Sequence, residues 1–366
     1  MPSQRRTFES RIDYSLLLPV LLLLSIGVTA IYIAVSHDYP NNVLQIVGQQ
    51  VVWILLGFLI SFIVMFFNTK FLWKMTPFLY VLGLGLMVLP LVFYSESLVA
   101  STGAKNWVSI RGVTLFQPSE FMKISYILML SRVVVKFLQQ NKNYERTIAL
   151  DLFLIVKLAL YTLPVLFLLA LQSDLGTALV FAAIYCGIVL LSGVSWKIIL
   201  PVFLTVSLLF TVFMLIFISN GGRAFLHGLG MPTYQINRIS AWLHPFEYAQ
   251  TITYQQAQGQ IAIGSGGLLG QGFNVSNLLV PVRESDMIFT VIAEDFGFLG
   301  SSLVIVIYLV LIYRMLQITI KSNNQFYTYI STGLIMMLLF HIFENIGAVT
   351  GILPLTGIPL PFISQG

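Results

Sequence analysis

Long apolar runs, separated by short stretches that hold most of the charged residues, set the rhythm of this chain. A bilayer core about 30 Å thick is crossed by a helix of roughly 20 apolar residues. Nine runs reach that length, at approximately 14–36, 46–67, 75–94, 116–137, 152–171, 176–193, 197–219, 288–313 and 327–348. The pattern predicts an all-α, polytopic integral membrane bundle, because runs of this length match helical spans, each of which satisfies its own backbone groups. The stretch Ser3-Gln4-Arg5-Arg6 is superficially like an export signal, but the apolar run behind it is long and has no small-residue cleavage site, so it reads as a retained first span. Most connections are short. Two are not: 95–118 and 220–287.

Loops longer than about 15 residues are usually functional or disordered, and 220–287 has the wrong composition for disorder. It holds Trp242, Phe246, Tyr248, Tyr254 and many aliphatic residues, and is expected to fold against the membrane surface. Within it, Arg238-Ile239-Ser240-Ala241-Trp242-Leu243 reads as a short amphipathic helix. The glycine-rich stretch between Tyr254 and Gly272 reads as a turn whose consecutive amides can cradle an anion; no P-loop lysine accompanies it.

Composition agrees with the pattern. The chain of 366 residues is 57% hydrophobic and 9% charged, against roughly 25% charged in soluble domains. One cysteine, Cys186, excludes a disulfide within the chain and a cysteine-based metal site. The net charge of +5 is not a nucleic-acid footprint once topology is considered. With the N-terminus in the cytoplasm, twelve cations collect on inner loops (Arg5, Arg6, Arg11, Lys70, Lys74, Arg132, Lys136, Lys142, Arg146, Lys197, Arg314 and Lys321) and five on the outer side (Lys105, Arg111, Arg223, Arg238 and Arg283). That asymmetry follows the positive-inside rule and puts 95–118 and 220–287 outside.

Charges at the mouths of spans carry the candidate chemistry. Asp286 opens the eighth run in Arg283-Glu284-Ser285-Asp286-Met287-Ile288-Phe289, where it is either a reactive carboxylate or, with Ser285, a helix N-cap. Glu120 and Lys123 lie three apart on the fourth run and share a face, which suits an ion pair between helices or a buried cation for an anionic ligand. Asp174 precedes the sixth run with Gly176 and Thr177 behind it, a capping arrangement. Glu344 and Asn345, followed by a Pro- and Gly-rich tail, suggest non-helical backbone returning towards a cavity. The four histidines are scattered without zinc-site spacing.

Five ordered motifs resemble the SEDS family (shape, elongation, division, sporulation) of bacterial cell-wall synthesis. They are Gln117-Pro118-Ser119-Glu120-Phe121-Met122-Lys123, Gln172-Ser173-Asp174-Leu175-Gly176-Thr177, Ala262-Ile263-Gly264-Ser265-Gly266-Gly267-Leu268, Asp286-Met287-Ile288-Phe289 through Gly297, and Pro354-Leu355-Thr356-Gly357-Ile358-Pro359-Leu360-Pro361-Phe362-Ile363-Ser364. The layout is more similar to the elongation branch (RodA) than to the division branch (FtsW).

The resemblance implies a peptidoglycan glycosyltransferase that joins lipid II units into glycan strands on the outer face of the cytoplasmic membrane, with Asp286 as base. It also implies Lys123, Glu120, Arg111, Arg238, Lys105 and Glu284 as substrate contacts, Lys123 neutralising the donor pyrophosphate and Glu120 orienting it. A divalent cation, magnesium or manganese, would fit between Asp286 and the pyrophosphate, although no residue pattern requires it. The implied partners are a class B penicillin-binding transpeptidase and other membrane proteins of the elongation complex, and no nucleic acid. A lipid II flippase and a non-catalytic scaffold are the competing readings. Two departures stand out. Glu284 and Ser285 occupy the positions where the family has histidine and threonine, and the chain stops at Gly366, inside the signature that precedes the family's tenth span.

Overall fold

The computed structural model describes residues 12–96, 98–99, 103–110, 113–247, 254–275 and 280–365. Each of the nine apolar runs forms a helix. They are α1 (Tyr14–Asp38), α2 (Val43–Val64), α3 (Thr69–Val92), α4 (Pro118–Gln140), α5 (Ile148–Leu171), α6 (Leu175–Leu191), α7 (Trp196–Ile218), α11 (Ile288–Lys321) and α12 (Gln325–Val349). Seven of these are long and apolar enough to cross a membrane, so the chain is a multi-pass membrane protein. The other two differ for plain reasons: α6 has 17 residues, and α4 carries Glu120, Lys123, Arg132 and Lys136.

Between α7 and α11 the described residues form three shorter helices, α8 (Gly222–Gly228), α9 (Thr233–Leu243) and α10 (Tyr254–Ser265). The amphipathic helix read from the sequence is α9. The glycine-rich stretch differs from expectation, because its first half is helical. A Cβ on Gly259 would come within 2.3 Å of Met287 Cε, so α10 gains from close packing on α11 what its glycines forfeit in propensity. The 95–118 connection carries an antiparallel ribbon, β1 (Val108–Ile110) and β2 (Val113–Phe116), with an irregular register at Val108/Ser109.

The residues fall into two compact units. The first comprises Met1–Phe71, Ala241–Lys321 and Leu338–Gly366. Its core joins Leu23, Ile31 and Val35 of α1 to Ile288, Val291, Ile292 and Tyr308 of α11, with Leu360 and Ile363 of the closing segment. Asp13 starts α1, its Oδ1 accepting from the amides of Ser15 and Leu16. The second unit comprises Leu72–Ser240 and Ser322–Met337. It centres on α4, where Tyr126 is fully buried and shares a hydrogen bond with Thr162 at 2.8 Å.

Helix α11 is not continuous. Gly297 breaks it with φ 63°, ψ −158°, a conformation open to glycine and strained for any residue with a Cβ. The loop after α10 is fastened to the break: the amides of Gln271 and Gly272 donate to the carbonyls of Glu294 and Asp295, and those of Phe298 and Leu299 to Gly267 and Leu268. Two amides expected to be available for an anion are therefore spent on the backbone of α11.

Candidate active site

Asp286 is half-buried in the turn 281–287 that enters α11. The turn is tight and strained. Val282 has φ 56°, unusual for a β-branched residue, and its carbonyl accepts from the amides of Ser285 and Met287. Such a conformation persists only where the surroundings over-determine it.

The surroundings do so carbonyl by carbonyl. Gln255 Nε2 of α10 donates to the carbonyl of Pro281 at 3.1 Å. The Gln365 amide donates to Glu284 at 2.9 Å, Ser364 Oγ to Ser285 at 2.8 Å, and Asn345 Nδ2 to Asp286 at 2.8 Å. Three consecutive carbonyls of the turn are thus held by α12 and the segment that follows it, leaving the Asp286 side chain to be aimed by its own neighbours. Ser285 Oγ donates to Asp286 Oδ1 at 2.9 Å. The other oxygen, Oδ2, faces Gly357, where a Cβ would lie 3.2 Å from it.

The closing segment is itself pinned. Glu344 Oε1 accepts from the Thr356 amide at 3.2 Å and from the Thr356 hydroxyl. The Tyr308 hydroxyl donates to the Pro361 carbonyl, and Ser364 Oγ accepts from the Leu360 amide at 2.8 Å. The returning backbone expected after Glu344 and Asn345 is present, and it builds one wall of the Asp286 turn. Sequence reasoning missed Gln255, Gly357 and Ser364 as members of this site. Gly357, lying between prolines in a motif already singled out, was the one with a readable signal.

Glu284 is half-buried, and its Oε2 has no hydrogen-bond partner among the described residues. Burial pushes its carboxyl above the ordinary 4.5, its own backbone lowers it in part, and the charges of Asp38 and Asp286 raise it further. Chiefly because of Glu284's charge, the Tyr39 phenol is also raised. Glu284 is thus a carboxyl whose proton is held more firmly than in water, two residues from Asp286. No group of three or more His, Cys, Asp or Glu side chains suited to a metal ion occurs among the described residues.

The remaining predicted contacts belong to the second unit. Lys123 is 4% exposed, and its Nζ pairs with Glu120 Oε2 at 2.8 Å while Glu120 reaches outward. Lys105 lies over the Tyr94 ring, 4.5 Å from its centroid, and its amide donates to Gln172. Arg238 is half-buried in α9. Arg111 lies outside the described residues. Asp174 caps α6: Oδ1 accepts from the Thr177 amide, and Oδ2 from the Thr177 hydroxyl and Asn106 Nδ2.

Comparison with known proteins gives a family match described as Cell cycle protein (FtsW, RodA, SpoVE) over residues 14–366. The chain is 31% identical over 368 residues to the peptidoglycan glycosyltransferase MrdB of Escherichia coli K12, covering 99% of this chain and 91% of that protein. It is 27% identical to stage V sporulation protein E of Bacillus subtilis, covering 97% and 92%. A solved chain from work on the structural coordination of polymerization and crosslinking by a peptidoglycan synthase complex is similar with a TM-score of 0.75 at 26% identity, covering 97% of this chain and 92% of that one. The rod shape determining protein RodA of Thermus thermophilus gives a TM-score of 0.65 at 24% identity over 100% of this chain and 92% of that one, a likeness of fold. With the match running from the first span to the closing segment, this chain belongs to the FtsW/RodA/SpoVE family, the SEDS proteins.

Proposed function

We propose that this chain joins lipid II units into glycan strands at the outer face of a bacterial cytoplasmic membrane, with Asp286 as the base. It is a peptidoglycan glycosyltransferase by family and by its identity to MrdB over nearly its whole length. One observation carries the choice of base: Asp286 is a half-buried carboxylate on a turn whose carbonyls at 284, 285 and 286 are each fixed by a separate donor.

The reaction moves one proton and exchanges one bond. As the acceptor sugar's 4-hydroxyl oxygen bonds to the donor's anomeric carbon, its proton passes to Asp286. The bond from that carbon to the pyrophosphate oxygen breaks, and undecaprenyl pyrophosphate leaves with the electron pair. Fixing the turn saves the cost of ordering the base at the moment of reaction. Within the second unit, Lys123 is the candidate counter-charge for a pyrophosphate, with Glu120 holding it, and Arg111, Arg238 and Lys105 are the further cations. Glu284 lies beside the base, where its charge state modulates the field on Asp286.

The positive-inside asymmetry supports a cytoplasmic N-terminus and an outward-facing Asp286. A relative solved in the context of a complex that couples polymerization to crosslinking supports partnership with a class B penicillin-binding transpeptidase. The similarity of the motif layout to the elongation branch supports a place in elongation.

The test is polymerisation of purified lipid II by the full-length protein, alone and with its transpeptidase, for the natural chain and Asp286→Asn. Loss of polymer with the variant is expected; polymer from the variant at the natural rate removes Asp286 as base. Lipid movement across liposomes without polymer from either protein would select the flippase instead.

A further inference from the structure

Three residues before the proposed base, Arg283 is the largest completely buried side chain among the described residues. Its Nη2 donates to Glu294 Oε2, and both side chains are 0% exposed. Neither charge has water to fall back on if its partner is lost. The pair spans 11 residues, from the strained turn to the half of α11 that precedes the Gly297 break. It therefore grips the turn from inside, opposite in kind to the carbonyl contacts of Asn345, Ser364 and Gln365. Arg283 also follows Val282 directly, so the ion pair fixes the residue next to the one in a left-handed conformation. Being closed off from solvent, the guanidinium does not touch substrate in this conformation.

We infer that Arg283 and Glu294 are positioning residues for the glycosyl transfer: their buried ion pair holds the 281–287 turn so that the Asp286 carboxylate keeps its place against Gly357. The inference rests on Asp286 being the base. A catalytic group displaced by about 1 Å can lose on the order of 100-fold in rate, so the pair acts on turnover rather than on substrate affinity. Asp38 and Asp295 lie within Coulombic reach of the guanidinium, which keeps a shortened partner from leaving it without negative charge nearby.

The test uses the full-length protein on purified lipid II, with kcat and KM measured on the monodisperse fraction and melting followed in parallel. Arg283→Lys and Glu294→Asp keep both charges and shorten the reach. Both are expected to lower kcat by about 100-fold with KM little changed, and to melt near the natural protein. The exchange Arg283→Glu with Glu294→Arg is expected to recover most of the kcat that either reversal alone removes. Natural kcat in the folded shortened variants overturns the inference. So does a loss that tracks only the yield of folded protein, including failure of all these variants to fold, since the pair would then be a stability element. Asp286→Asn separates the two readings. If it is active, the base assignment falls; if it is dead while the pair variants are fully active, only the positioning role falls.

Discussion

The carboxamide of Asn345 ties the Asp286 turn to the closing segment, its Nδ2 donating to the carbonyls of Asp286 and Ile358 at 2.8 Å each. Asn345 is 2% exposed, so removing this donor strands two carbonyls away from water. Asn345→Leu should cost about 1–3 kcal/mol of stability by that penalty and should lower polymerisation by more than the melting shift explains. Thermal melting in detergent, set beside initial rates on lipid II, checks both. A variant with the natural rate would show that the turn holds without this clamp.

Gly357 offers a sharper separation of activity from folding. Its φ of 80° costs a residue with a Cβ roughly 1–2 kcal/mol. The added methyl would also lie 3.2 Å from Asp286 Oδ2, tight enough to move the carboxylate. Gly357→Ala is expected to fold, to melt a few degrees lower, and to lose at least about tenfold in kcat. Equal falls in kcat and in folded fraction would refute it.

How much of this could be read beforehand follows from the range of each interaction. The nine helices were legible because hydrocarbon length imposes itself locally on every span, and the Asp174 cap was legible because it spans three residues. Of the candidate site, Asp286 and Glu284 were legible, and so, in outline, was the backbone returning after Glu344 and Asn345; which carbonyls that segment holds was not. The clamps come from residues 59 and 79 positions away, where no spacing rule applies. Arg283 was counted from sequence among the outer-side cations, and no spacing rule singles out Glu294, 11 residues on, as its partner. Helix α10 was hidden by its glycines, whose propensity argues for a turn while their lack of side chains is what lets α10 approach Met287 and Thr290.

The break in α11 makes a stability prediction independent of catalysis. A Cβ on Gly297 would lie 2.4 Å from the Gly270 nitrogen and 2.7 Å from Leu268 backbone atoms, and backbone cannot yield as a flexible side chain can. Gly297→Ala should destabilise by about 1–3 kcal/mol from overpacking, plus the cost of its positive φ. Reduced membrane yield and a lower melting temperature are the readouts, and natural values for both would show that the glycine loop can separate from the break.

Lys123 separates packing from substrate charge. Lys123 is buried while its partner Glu120 is largely exposed, the two side chains being 5% and 58% accessible, so the pair is not sealed in the core as Arg283 and Glu294 are. Lys123→Met keeps the buried stem and removes only the charge. If Lys123 serves a pyrophosphate, the variant melts like the natural protein yet loses polymerisation, with Glu120→Gln milder. Full activity in Lys123→Met would return the pair to a structural role.

Glu284 predicts a pH dependence whose sign is fixed by the direction of its shift. Its folded value is raised above 4.5, by burial first and by Asp38 and Asp286 in addition, so the folded protein binds this proton more tightly than the unfolded chain does. The resulting stability is fully present below about pH 4.5 and is lost as pH rises through the raised folded value. Above that value an ionised Glu284 is a cost, because it is half-buried beside other carboxylates. Glu284→Gln should therefore melt higher than the natural protein at neutral pH and should remove this group's share of the decline in melting temperature as pH rises from about 4.5. Melting followed from acid to neutral pH in detergent decides the matter: parallel curves for the two proteins would mean that Glu284 ionises without penalty.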